Sequence, residues 1–109
     1  MNDGLKAAYR KAMIEIFASN PRVERAVLFG SRAMGTFTTT SDVDVALFGD
    51  LLTLDDQSAL AKQIGDLPMP QRIDLLLHRQ IQNLKLLAHI QRYGVEWYRR
   101  GNCRAIADK

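Results

Sequence analysis

Three short, β-prone apolar segments, at residues 23–29, 42–48 and 72–77, constrain this chain more than any other feature. Each is six or seven residues long and has Gly or Pro close to at least one end, the punctuation expected of strands. Helical spacing fills the intervals. Leu5, Tyr9, Ala12, Met13, Ile16 and Phe17 recur at steps of three and four, which predicts an amphipathic helix capped by Asn2 and Asp3. Asn20-Pro21 ends it, because Pro disfavours a helical conformation in the preceding residue. Thr53 with Asp56 reads as a capping box for a second helix, with Leu60, Ile64 and Leu67 on one side and an end near Gly65. Residues 81–93 predict a last helix closed by Gly94 in a left-handed cap, followed by a short edge strand at 95–98. The order αβ(α)βαβα(β) makes residues 1–100 one small α/β domain, with a flexible tail expected at 101–109.

Composition narrows the function classes. With 109 residues, 47% apolar and 25% charged, the chain has material for one modest core. No apolar run approaches the roughly 18–20 residues of a membrane span, and the N-terminus lacks a signal-peptide core. A cytoplasmic protein is expected. A single cysteine, Cys103, excludes an internal disulfide and a cysteine-based zinc site. Residues 1–70 hold 7 basic and 9 acidic side chains, and residues 71–109 hold 8 and 3. A basic C-terminal third suits a polyanion such as a nucleoside triphosphate, or simply a solvated face. Without a recognition motif, a nucleic-acid-binding domain is not expected.

The sharpest chemical feature is Asp42-Val43-Asp44. On a strand, residues two apart project from one face, so both carboxylates stand side by side while Val43, Val45 and Leu47 point into a core. Adjacent carboxylates repel unless a cation lies between them, and hard oxygen donors suit Mg²⁺ or Mn²⁺. The bland alternative is a solvated loop or a helix cap. Asp74 interrupts the apolar run of Ile73 and Leu75 to Leu77, where a carboxylate is costly unless paired, hydrogen-bonded or metal-bound. If its strand lies beside the second strand, Asp74 completes a three-carboxylate cluster; otherwise it pairs with Arg72 or sits at a solvated edge. Gly30-Ser31 closes the first strand with a turn whose N–H groups and hydroxyl can cradle phosphate oxygens. Arg32 adds a charge there, or packs on the surface. His78, His89 and Cys103 show no metal-ligand or nucleophile spacing and read as structural or incidental.

Taken together, Gly30-Ser31-Arg32-Ala33-Met34-Gly35, Ser41-Asp42-Val43-Asp44 and Ile73-Asp74-Leu75 resemble the minimal nucleotidyltransferases of the DNA polymerase β-like superfamily. The resemblance spans about residues 5–100 and is specific in the order and spacing of its three parts. Met34 stands where many members carry Arg. The resemblance implies the nucleotidyltransferase fold, an α+β arrangement with a small mixed, mainly antiparallel sheet flanked by helices. It further implies that Asp42, Asp44 and Asp74 are catalytic and hold two Mg²⁺ ions, with Gly30, Ser31 and Arg32 binding the nucleotide, ATP being the expected donor. Such minimal enzymes are typically paired with a small helical HEPN protein in toxin–antitoxin modules, where the nucleotidyltransferase is the antitoxin and transfers AMP to the toxin. So short a chain has no room for an acceptor domain of its own, which also points to a partner chain, with self-association beside it. Leu51, Leu52, Met69 and part of the stripe at 84–90 are candidates for its contact patch. The rival from another class is a non-catalytic nucleotide-binding module that masks a helical partner sterically.

Overall fold

Over the described residues, the alternation of β-prone and helical segments folds into four strands and four α-helices. The computed structural model describes residues 3–100. The strands are β1 (Arg25–Phe29), β2 (Val43–Phe48), β3 (Ile73–Leu77) and β4 (Val95–Arg99). The helices are α1 (Ala7–Ser19), the single turn α2 (Ser31–Met34), α3 (Leu54–Gly65) and α4 (Leu84–Tyr93), with a 3-10 turn at His78–Gln80. The sheet order is β3-β2-β1-β4. β1 pairs antiparallel with both β2 and β4, and β2 pairs parallel with β3, so the sheet is mixed and mainly antiparallel as expected. A parallel pair needs a crossover, and α3 supplies it.

Residue alternation divides the sheet into two unlike faces. Ala26 and Leu28 of β1, Val43, Val45 and Leu47 of β2, and Leu75 and Leu77 of β3 pack against Met13 and Phe17 of α1 and Leu60 and Ile64 of α3. The opposite face carries a smaller cluster of Val27, Phe29 and Ala46 under Ile90 of α4. At the β4 edge the register with β1 shifts between Ala26 and Val27. The Thr53 capping box forms in full: Asp56 N–H donates to Thr53 Oγ1 and Thr53 N–H to Asp56 Oδ2. No helix among the described residues is long and apolar enough to cross a membrane.

Several local expectations need correction. Asp3 does not cap α1, which begins four residues later with Lys6 as its N-cap. Gly4 takes φ +77° and turns the chain, so the buried Asp3 carboxylate accepts from Leu5 N–H and pairs with Arg10 at 2.8 Å. Asn2 lies outside the described residues, as do the expected tail and Cys103. The last helix begins at Leu84 rather than 81, because Asn83 Oδ1 accepts from Lys85 and Leu86 N–H. Gly94 is not left-handed (φ −60°, ψ 142°). Its side chain is absent for another reason, since a Cβ would strike the Ile90 carbonyl oxygen and the Val27 side chain. Leu52, considered for a contact patch, is fully buried in the core, and Met69 packs partly against it. Leu51 and Leu84 stay exposed, at 71% and 79%.

Candidate active site

The site is built at the end of the sheet where β1 leaves it and β2 and β3 enter. The register pairs Phe29 with Asp44 on one side of β2 and Asp44 with Asp74 on the other. Because the strands are in register and residues alternate, Asp44 and Asp74 stand as neighbours on the α4 face, while Val43 and Val45 are wholly buried beneath. Asp42 lies one residue ahead of β2 and is exposed, as is Asp74, whereas Asp44 is largely covered. Burial, then the charge of Asp74, then that of Asp42, push the Asp44 carboxyl up from 3.8 to about 6. One carboxylate thus feels the other two, and Asp74 sits beside Asp44 rather than pairing with Arg72.

Gly30 closes the arrangement from the β1 side. Its φ of +78° and ψ of −159° belong to glycine, and a Cβ there would collide with the Asp44 carboxylate. The Gly30 carbonyl accepts from the N–H groups of Ala33 and Met34, which starts the tight turn of α2. Ser31 N–H, Ser31 Oγ and Arg32 N–H have no protein partner among the described residues, so the turn presents three donors beside the acids. Gly30 N–H is different: it donates to His89 Nε2 of α4 at 2.9 Å.

Arg32 is placed differently from the sequence expectation. It is 1% exposed, with its guanidinium turned inward. Nη1 donates to the Asp3 carbonyl at 2.8 Å, and Nε and Nη2 donate to the Ser41 carbonyl at 3.2 and 2.9 Å. The plane also lies over the Phe37 ring, 5.1 Å from its centroid. A guanidinium so engaged cannot face a phosphate without leaving these carbonyls. Its side chain instead ties the loop that delivers Asp42 to the N-terminal segment, and its backbone N–H remains at the turn. The residue missed in sequence is His89, because nothing in its spacing joins it to a glycine 59 positions away.

The donor set suits a divalent cation. Among the described residues no three acidic or histidine side chains close around one point, so the aspartates line the site without forming a finished cage. Mg²⁺ is commonly held in this way, by one or two carboxylates with phosphates and waters completing the shell. Burial and the neighbouring charges of Asp74 and Asp42 both disfavour the Asp44 carboxylate, and such an ion would relieve them.

Comparison with known proteins places the chain among others of the same fold. A chain in a crystal structure of a toxin–antitoxin pair with AMP-PNP is 22% identical, with 89% of this chain and 78% of that one aligned at a TM-score of 0.70. A chain of the tri-AMPylated Shewanella oneidensis HEPN toxin in complex with MNT antitoxin aligns at a TM-score of 0.66, with 17% identity over 94% of this chain and 79% of that one. A third structure, whose assignment as a minimal nucleotidyltransferase is itself provisional, is 25% identical over 87% of this chain and 95% of its own, with a TM-score of 0.58. No curated protein matches significantly in sequence. Residues 11–102, which include all three aspartates and the Gly30-Ser31 turn, match the family described as polymerase beta, nucleotidyltransferase, and the chain belongs to that family.

Proposed function

We propose that this chain is a Mg²⁺-dependent nucleotidyltransferase that moves a nucleoside monophosphate, AMP first among candidates, from a triphosphate to a hydroxyl of a small helical HEPN-type protein, acting as its antitoxin in the cytoplasm. The observation that carries the reading is the Asp44–Asp74 register pair, with Asp42 two residues before Asp44 and the Gly30-Ser31 turn against the Asp44 carboxylate. The partner assignment draws support from the toxin–antitoxin complexes with which the fold aligns, one of them AMPylated.

The residues divide the work by position. Ser31 N–H and Oγ, with Arg32 N–H, donate to oxygens of the β- and γ-phosphates. Asp42 and Asp44 would hold the metal on the triphosphate side, and Asp74 the metal on the acceptor side. When bound, Mg²⁺ (or Mn²⁺) offsets the charge of the attacking and leaving oxygens. Asp74, exposed at the open edge of the cluster, orients the acceptor hydroxyl and draws its proton. The hydroxyl oxygen forms a bond to the α-phosphorus as the bond to the α–β bridging oxygen breaks, and pyrophosphate departs. Little covalent work falls to the protein, so positioning and electrostatics supply the catalysis.

The test is co-expression with the product of the adjacent gene. The mass of the purified species reports hetero-complex or self-association, and Mg-ATP is then added. A gain of one or more AMP units on the partner, abolished by Asp42→Asn with Asp44→Asn, is expected. A stable complex that never gains AMP would instead favour a module that masks its partner.

A further inference from the structure

The geometry points to His89 as the residue that sets the phosphate turn, a role that rests on the nucleotide-site reading above. The β1–β2 ladder ends at the Phe29–Asp44 pair, so Gly30 N–H has left the sheet and needs another acceptor. His89 Nε2 supplies it at 2.9 Å. The acceptor nitrogen is unprotonated, which places the ring hydrogen on Nδ1. Its neighbour in sequence, Ile90, is buried against Val27, Phe29 and Ala46 and fixes this stretch of α4 over the sheet. The His89 ring itself meets Phe29 edge-on (centroids 6.2 Å apart, planes at 78°) and leans on Tyr93 at 5.3 Å.

Two consequences follow for the turn. The Gly30 peptide is held in its glycine-only conformation from outside the motif, and Ser31 N–H, the next donor along the turn, has no protein partner among the described residues. With its own N–H committed to His89, Gly30 serves the nucleotide site through its missing Cβ and its fixed peptide plane. His89 is therefore a positioning residue: it touches no reacting atom and acts through Gly30.

A merely structural histidine would serve by ring packing alone, and two substitutions separate the roles. His89→Phe keeps an aromatic ring against Phe29 and Tyr93 but offers no acceptor. His89→Gln keeps an acceptor and gives up the ring. Amide exchange at Gly30, followed by NMR on the full chain without nucleotide, is read beside Mg-ATP affinity by calorimetry. For His89→Phe the expectation is about tenfold faster Gly30 exchange and about tenfold weaker Mg-ATP binding, the scale of one partly buried donor left unpaired. His89→Gln should stay within about threefold of the parent in both. His89→Leu stands in if His89→Phe does not fold. The reverse ranking, or unchanged Gly30 exchange in His89→Phe, would overturn the assignment. If the parent chain binds no Mg-ATP, the nucleotide reading fails, while Gly30 exchange still decides whether His89 holds the turn.

Discussion

The two faces of the β-sheet are made from the same strands and obey opposite rules. On the α1/α3 face, β2 presents Val43, Val45 and Leu47, all at or below 1% exposure, within a continuous apolar layer. On the α4 face the same strand presents Asp44, Ala46 and Phe48, and the apolar cluster there is small. The strand side chains in the first cluster are all apolar; the second face sets two aspartates side by side, and Asp44 has a raised proton affinity. One face stabilises the fold, and the other gives up stability where like charges crowd, the place at which we propose a cation is held.

Substitutions should part along this line. The largest effect belongs to Asp44→Asn: nucleotidyl transfer should fall by about a thousandfold or more, since the carboxylate proposed to hold the metal is lost with its charge. The same variant should be more stable than the parent at neutral pH without metal, because a crowded negative charge is gone. A loss of stability would break the contrast between the faces. Next comes Leu28→Ala on the opposite face, which should cost about 3 kcal/mol in chemical denaturation, as expected for a buried leucine in a packed layer. A cost below about 1 kcal/mol would mean that this face is less tightly packed than described.

Arg32→Met sharpens the comparison at the point where the faces meet the loop that delivers Asp42. It keeps most of the side-chain volume and leaves the Asp3 and Ser41 carbonyls without their donor. About 2 kcal/mol of stability should be lost, with Mg-ATP affinity falling because Asp42 is no longer anchored. If affinity falls while stability is untouched, the guanidinium serves the nucleotide and not the loop.

The smallest effect is a pH dependence with a definite sign. In the fold Asp44 binds its proton more tightly than in the unfolded chain, about 6 against 3.8. Its contribution is present in full below the unfolded value and is lost as pH rises through the folded one. The stability difference between Asp44→Asn and the parent should thus be near zero at about pH 3 and reach about 1–2 kcal/mol by pH 7, after discounting for solvent screening. Asp3 and Asp56 act in the opposite sense. Burial raises Asp3, but its bonds from Arg10 and Leu5 outweigh that, and the Thr53 N–H chiefly lowers Asp56, so both stabilise above their unfolded values. Chemical denaturation of parent and variant at matched pH, without and then with Mg²⁺, isolates the Asp44 part, and Mg²⁺ should shrink it above pH 6.

Much of this was legible in sequence, for local reasons. Strict alternation through 42–48 put Asp44 opposite Val43 and Val45, and Thr53 with Asp56 announced the start of α3. The pairing of Asp44 with Asp74 was legible only as a condition, since strand order depends on the α3 crossover and not on either segment alone. Other features were hidden because they depend on distant partners. Arg32 follows Gly30-Ser31 and so suggests a phosphate ligand, yet its acceptors are carbonyls 9 and 29 positions away. His89 sits in a helix whose apolar spacing explains Ile90 and is silent about a bond to Gly30. Gly94 does close α4 as expected, but in an extended conformation, and it is the close approach of Val27 and the Ile90 carbonyl that demands glycine there.

The central claim is that the α4 face holds a metal-bound triphosphate between Asp42, Asp44 and the Ser31 turn. Calorimetric titration of ATP into the full chain tests it most directly, in Mg²⁺, then in EDTA, then in Mg²⁺ with Asp44→Asn. Binding in Mg²⁺ that weakens by at least about tenfold both in EDTA and in the variant is the predicted result. Equal affinity in all three titrations would contradict the account.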